Sequence, residues 1–230
     1  MRTHIYRLAS SVLILSALMS CRRDEAPQRR SDARSTIDHL VIKEVFYPGH
    51  AYTQNFPKEY NQPAVQNWYS DDAYITIYNP SKQTLYLDSM AIVTNQIDPR
   101  VIFEFAPGDN FVNSYYGVNS IMCFPGKGHD YPVKPGQTIV IANHAVDHAK
   151  DYEKYLEDNG ENLKEYEGID QFLDLSKADF EWSPSTDKNN NPNVPDLTPI
   201  TPHRAMATIS EAVGLALVRL PWSPATFAQF

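Results

Sequence analysis

Short apolar runs rich in Ile, Val, Thr and Tyr recur along the chain, and turn signals separate them. Runs of this length and composition are typical of β-strands. The clearest are residues 40–47, 74–78, 85–87, 138–141 and 215–218. The Asn-Pro and Pro-Gly pairs between them favour turns, because proline fixes φ and glycine tolerates positive φ. The pattern therefore predicts a mostly β fold, and a β-sandwich fits it better than a parallel α/β sheet.

One segment has helical spacing instead. Its apolar residues recur every three or four positions, at Ala145, Ala149, Tyr152 and Leu156. Asn143 can cap the start of such a helix, and Asn159-Gly160 can end it. We therefore predict one inserted helix over residues 144–158, and the 17 prolines of the chain make other long helices unfavourable.

Two stretches show neither the alternation of a strand nor the three-to-four-residue spacing of a helix. Residues 48–70 and 183–202 are predicted to be irregular loops. Loops this long are uncommon unless they are functional or disordered. The first is a candidate for ligand contacts, and the second contains an Asn/Pro-rich run.

The N-terminus has the three parts of a signal peptide. Basic Arg2 and Arg7 precede an apolar run over residues 8–18, which is shorter than the roughly 20 residues needed to span a bilayer. The run Leu18-Met19-Ser20-Cys21 resembles the lipobox of bacterial lipoproteins, in which the cysteine is acylated after cleavage. The alternative is an ordinary secreted protein with a chance cysteine. We expect residues 1–20 to be removed and lipidated Cys21 to hold the protein to a membrane.

Composition indicates how the rest of the chain is organised. Residues 21–36 are polar and aperiodic, which predicts a flexible tether, and residues 37–230 are expected to form a single β-sandwich domain. Residues 1–34 hold seven of the 20 Lys/Arg and three of the 28 Asp/Glu, so the remainder is acidic, with 13 against 25. An acidic body argues against nucleic-acid binding. Cys123, in an apolar setting, is expected to be a buried core thiol.

Common catalytic motifs are missing from the sequence. It contains no Gly-x-Ser-x-Gly elbow, His-Glu-x-x-His helix, phosphate-binding loop or dinucleotide fingerprint. Ser185 and Lys188 match a Ser-x-x-Lys pair, but they lie in an Asn/Pro-rich segment where no helix would hold the lysine against the serine. We therefore expect no enzyme activity.

A divalent cation is the one cofactor with any sequence support. His144, Asp147 and His148 would share one face of a helix starting near Asn143, within reach of a zinc-like ion. Histidines near helix ends are nevertheless common without metal. The run from Asp187 begins like a calcium loop, but Pro192 and Thr198 replace the glycine and glutamate that an EF-hand requires.

Aromatic residues are concentrated before the strand at residues 74–78. Six lie within residues 47–69, at Tyr47, Tyr52, Phe56, Tyr60, Trp68 and Tyr69. Such rings can stack on sugars or organic ligands, or can fold the loop back onto the sandwich. The candidate ligand-binding residues are Tyr52, Trp68, Tyr69, Asp71 and Asp72, where the carboxylates would bind hydroxyls or a cation.

Four segments carry a family resemblance: LVIKEVFY (40–47), DAYITIYN (72–79), DYPVKPGQTIVIA (130–142) and LDLSKADFEW (173–182). In this order they resemble the Bacteroidota lipoprotein family called domain of unknown function 4876, which is similar to the immunoglobulin-like lamin-tail sandwich. The resemblance implies a surface lipoprotein without established chemistry. Thr76 stands where we expect an acidic residue, which weakens any cation site there. The chain also ends ten residues after the strand ending near Leu220, so a closing strand is expected to be missing.

The function that follows is a non-catalytic binding or accessory module on the outer membrane, facing the cell surface. The resemblance and the predicted address suggest an outer-membrane transporter for nutrient uptake as its partner. Two alternatives remain, a carboxylate-based glycan hydrolase using Asp71 and Asp72, and a structural or adhesion protein. An aromatic platform would favour binding, and two opposed carboxylates would favour the hydrolase.

Overall fold

The computed structural model describes residues 37–95, 117–182, 190–200 and 214–221. Within these ranges the chain is mostly β, with one α-helix, α1. The strands are β1 Val41–Phe46, β2 His50–Gln54, β3 Val65–Tyr69, β4 Tyr74–Tyr78, β5 Leu85–Tyr86, β6 Met90–Asn95, β7 Val118–Cys123, β8 Pro132–Val133, β9 Thr138–Ala142, β10 Tyr166–Glu167, β11 Phe180–Glu181, β12 Thr198–Pro199 and β13 Leu215–Arg219. Helix α1 spans His148–Asp158, and short 3-10 turns lie at Lys58–Tyr60, Leu163–Glu165 and Ile169–Gln171.

Two four-stranded sheets enclose the main core. The first has the order β1-β4-β9-β11, antiparallel except for β11 beside β9, and the second has the order β12-β7-β6-β13, antiparallel throughout. Ile75 and Ile77 of β4 pack in one cluster with Ile92 of β6 and Met122 of β7. Alternate side chains of a strand point to the same face, so each sheet contributes one apolar face. The predicted mostly β, sandwich-like fold is confirmed.

The apolar runs become strands close to the predicted positions. The run at residues 74–78 coincides with β4, and those at 40–47, 138–141 and 215–218 contain or overlap β1, β9 and β13. These strands meet neighbours on both sides or pack on the core, and their β-branched residues suit such a surface. Among the described residues, no helix is long and apolar enough to cross a membrane.

The predicted loop over residues 48–70 is wrong. β2 and β3 form an antiparallel hairpin there, with His50 opposite Tyr69 and Gln54 opposite Val65, and β10 pairs with the other edge of β2. All five residues of β2 are partly buried, so the alternation that marks a half-buried strand is missing from the sequence. Gly49 has φ +68°, and a Cβ there would overlap the carbonyl oxygen of Tyr69.

The predicted helix ends as expected but starts four residues later. Gly160, with φ +74°, follows its last turn, whereas Asp147 rather than Asn143 caps its start, accepting a hydrogen bond from the Lys150 N–H. The preceding backbone is used elsewhere, because the N–H of Asn143 donates to Ala73 and that of Ala145 donates to Glu181. These bonds hold residues 143–145 outside the helix.

Candidate functional site

A cleft of about 460 Å³ opens between the end of β3 and one face of α1. Its volume falls within the range of roughly 300–1,000 Å³ that is usual for small-ligand sites. The described residues that line it are three tyrosines, three aspartates and one lysine: Tyr69, Asp71, Asp151, Tyr152, Lys154, Tyr155 and Asp158. The cleft thus combines aromatic and acidic surface.

Tyr69 is held in place from below by a buried histidine. The Tyr69 hydroxyl lies 2.9 Å from Nδ1 of His148, and Nε2 of His148 lies 3.0 Å from the carbonyl oxygen of His144. A carbonyl can only accept, so Nε2 of the neutral ring carries the proton and Nδ1 accepts from Tyr69. Burial lowers the pKa of His148, which favours this neutral form.

The tyrosines beneath the cleft form an aromatic cluster with Phe172. The rings of Tyr69 and Phe172 are stacked, with centroids 4.2 Å apart, and Tyr152 contacts both rings edge-on. The Tyr152 hydroxyl donates to that of Tyr52 over 2.8 Å. Burial raises the pKa of Tyr69 and of Tyr152, so both hydroxyls stay protonated. The cluster is a preformed, neutral wall.

The rim of the cleft is negatively charged. Lys154 forms an ion pair with Asp158 at 2.7 Å, so it neutralises one of the three carboxylates. The charges of Asp71 and Asp151 add to the effect of burial in raising the pKa of Tyr69, so both act on the cleft interior. Asp71 is exposed and Asp151 half-buried.

The sequence-predicted ligand residues separate into different places. Tyr69 and Asp71 line the cleft, and Tyr52 supports it from behind through Tyr152. Trp68 is 64% exposed and is not part of the lining, because successive residues of β3 point to opposite faces. Trp68 therefore does not share the cleft with Tyr69, and its expected role in ligand binding stays a prediction.

Asp72 is wholly buried and does not face the cleft. Its Oδ2 lies 2.6 Å from Nδ1 of His50 and accepts a hydrogen bond from the N–H of Leu173. These contacts tie β2 to the turn before β4 and to the segment after the 3-10 turn at Ile169–Gln171. Asp71 and Asp72 are thus not the paired, accessible carboxylates that the hydrolase alternative requires.

The three residues predicted to hold a metal do not converge. His144 precedes α1, Asp147 caps the helix and pairs with Lys150, and both ring nitrogens of His148 have protein partners. The expected shared helix face is wrong because the helix starts at His148. In the described part of the chain, no group of three or more His, Cys, Asp or Glu side chains is arranged to hold a metal ion.

The remaining candidates have structural positions or lie outside the described residues. Asn191, in the run that begins like a calcium loop, donates to the carbonyl of Ala145 through its side chain and to Glu181 through its backbone, so it joins two loops. Thr76 is buried within β4. Cys123 is buried as expected, and burial raises its thiol pKa to about 12. Cys21, Ser185, Asp187, Lys188 and residues 222–230 lie outside the described ranges.

Sequence reasoning missed the part of the site that α1 supplies. Asp151, Tyr152 and Tyr155 line the cleft, although Tyr152 was assigned only to the apolar helix face. The available signal was the pair of tyrosines three positions apart, since residues at i and i+3 share a helix face. Their rings are nearly parallel at 5.8 Å.

Comparison with known proteins supports the fold. No family model and no curated protein matches the chain. Among solved structures, it is similar to the crystal structure of a DUF4876 family protein from Bacteroides thetaiotaomicron, with a TM-score of 0.57 and 20% identity. The match covers 80% of this chain and 43% of that one, so the chain spans less than half of that protein's length. The sequence-based resemblance to this family is confirmed at the level of the fold.

Proposed function

We propose that this protein is a surface-exposed, lipid-anchored binding module, and that the cleft between β3 and α1 is its ligand site. The observation that carries the proposal is the preformed wall of tyrosines at the cleft, held by the Tyr69–His148 and Tyr152–Tyr52 hydrogen bonds. A site whose side chains are already fixed loses little conformational entropy on binding. A featureless sandwich would instead suit a purely structural or adhesion role.

The chemistry of the lining suits binding better than catalysis. A nucleophile or general base needs a pKa near the working pH, whereas burial raises the pKa of the Tyr69 and Tyr152 hydroxyls further from it. Lys154 is ion-paired, and its pKa is raised by Asp158. The hydrolase that uses Asp71 and Asp72 as its pair is disfavoured, because Asp72 is buried against His50.

The proposed location on the membrane rests on the N-terminal sequence. The lipobox-like Leu18-Met19-Ser20-Cys21 and the polar segment after it suit a domain carried outside the membrane by a lipid anchor. A binding module at that place suits an accessory role beside an outer-membrane transporter. Two or more acyl chains hold a protein firmly to a membrane. Because the tether has no apolar segment of its own, membrane attachment would depend on the lipid at Cys21.

Fractionation of cells expressing the full chain tests the anchor. The Cys21→Ala variant should leave the membrane fraction, whereas Cys123→Ala, which removes the other cysteine, should stay in it. Retention of Cys21→Ala in membranes would contradict the lipoprotein assignment without affecting the proposal for the cleft.

A pair of exposed tyrosines tests the cleft. Tyr155 lines it and is 52% exposed, and Tyr60 lies outside the lining and is 63% exposed. A panel of neutral monosaccharides, amines and aromatic acids would be screened for compounds that raise the melting temperature of the wild type. Tyr155→Ala should weaken binding of a hit, and Tyr60→Ala should not. Equal losses in both variants, or no hit in the panel, would count against this site.

A further inference from the structure

The charges of the side chains that line the cleft indicate which class of ligand it would bind. Of the described residues that line it, three are acidic and one is basic, and the basic Lys154 is paired with Asp158. In the described residues, neither the Asp71 nor the Asp151 side chain has a cationic partner within ion-pair distance. Two carboxylates therefore face the cavity without a counter-charge from the residues that the structure describes.

These carboxylates stand beside neutral aromatic rings. Tyr152 and Tyr155 lie nearly parallel, at an interplanar angle of 29°, and Tyr155 is open to solvent. The face of an aromatic ring carries negative potential, which attracts a cation within about 6 Å of its centroid. Ring faces and carboxylates in the same cavity both favour a positively charged ligand. The rings also offer apolar contact area, which an organic cation can use and a bare metal ion cannot.

We propose that the cleft selects an organic cation, a small molecule bearing an ammonium group on an apolar stem. This inference rests on the proposed function of the cleft and specifies its ligand class. Asp151 and Asp71 neutralise the ammonium, and Tyr152 and Tyr155 contact its methylene or methyl groups. Tyr69 forms the fixed floor, because its hydroxyl is already used by His148.

The helix offers a matched pair of charge variants. Asp151 lines the cleft, whereas Glu153, two residues later on α1, is exposed and does not line it. Asp151→Asn and Glu153→Gln each remove one negative charge from the same helix. A general effect of net charge would change both equally, whereas direct recognition requires a change in Asp151→Asn alone.

Calorimetric titration of the folded chain with 1,4-diaminobutane, tetramethylammonium, 1,4-butanediol and glucose tests the proposal. Either cation should bind, with affinity that falls as salt increases, and the uncharged diol should not. Asp151→Asn should weaken cation binding roughly tenfold, as expected for loss of a charge-assisted contact, and Glu153→Gln should leave it unchanged. The melting temperature of each variant, measured alongside, identifies any loss caused by unfolding.

The outcomes separate the two proposals. Binding of glucose or butanediol at least as tight as that of the cations would overturn the cationic class while the cleft remained a ligand site. Equal weakening in Asp151→Asn and Glu153→Gln would also overturn it. Absence of binding in all four titrations would overturn both this inference and the proposed binding role.

Discussion

The sandwich core and the aromatic cluster below the cleft are built on different principles. The core cluster is mainly aliphatic, with Ile75, Ile141 and Leu87 fully buried, and it needs no directional contact. The cluster around Tyr69 and Phe172 instead contains hydroxyls, and each of the Tyr69 and Tyr152 hydroxyls is hydrogen-bonded. Aliphatic burial supplies non-directional stability, whereas hydrogen-bonded rings fix the orientation of a surface.

This difference teaches where a ligand site can be placed on a stable domain. An exposed cleft cannot be lined by aliphatic residues without creating an apolar patch, whereas tyrosine offers an apolar face and a polar edge. The buried His148 then satisfies the inner hydroxyl, so the ring of Tyr69 keeps one orientation. Variants of the two regions should therefore lose different properties.

The largest effect is expected in the sandwich core. Ile141→Ala removes three carbons from a fully buried position in β9, and such truncations cost about 2–5 kcal/mol in unfolding free energy. Val118→Ala, at a 38% exposed position in β7, is the matched aliphatic control. Urea denaturation measures both. A loss below about 1 kcal/mol in Ile141→Ala would show that the core relaxes around the cavity.

A smaller loss is expected in the aromatic cluster. Tyr69→Phe keeps the ring but leaves Nδ1 of wholly buried His148 without a donor, which costs about 1–3 kcal/mol. Tyr155→Phe removes a hydroxyl from an exposed ring, so its unfolding free energy should stay within about 0.5 kcal/mol of wild type. Equal stability of the two variants in urea denaturation would contradict the role assigned to the Tyr69–His148 bond.

A pH effect of smaller expected size distinguishes the same two regions. Burial lowers the pKa of His148 below its ordinary 6.5. The hydrogen bond to the His144 carbonyl and the charges of Asp72 and Asp71 oppose this lowering, and the nearby His144 ring adds to it. A lowered histidine pKa stabilises the fold fully above the unfolded pKa, and this contribution is lost as pH falls from about 6.5 through the folded pKa. The melting temperature should therefore decrease with falling pH in that window.

The buried Glu181 beside the core makes stability depend on pH in the opposite direction. Burial raises its pKa above the ordinary 4.5, so its contribution is present below that pH and is lost as pH rises through the folded pKa. His148→Gln isolates the histidine, since glutamine does not titrate. Its melting temperature should depend less on pH below 6.5 than that of wild type, and an unchanged pH dependence would contradict a neutral buried His148.

The strands of the sandwich could be predicted from the sequence, whereas β2, the start of α1 and the cleft could not, and the reason is physical. The strands β1, β4 and β9 were predictable because their β-branched apolar residues record local burial. β2 was missed because the partial burial of every residue erased the period of two. The helix start was misplaced because Ala145 bonds to Glu181, a partner 36 positions away. The cleft joins Tyr69 to Asp151 and Tyr152, and no local pattern records that contact.

The smallest effect is expected at Trp68, which the sequence analysis placed with Tyr69 among the candidate ligand-binding residues. Because the two residues point to opposite faces of β3 and Trp68 is 64% exposed, Trp68→Ala should change the unfolding free energy by no more than about 0.5 kcal/mol. Cation binding should also persist in Trp68→Ala and weaken in Tyr155→Ala, measured by the same titration. If Trp68→Ala abolished binding at unchanged stability, the ligand would lie on the outer face of the β2–β3 hairpin, and the large indole would be the anchor after all.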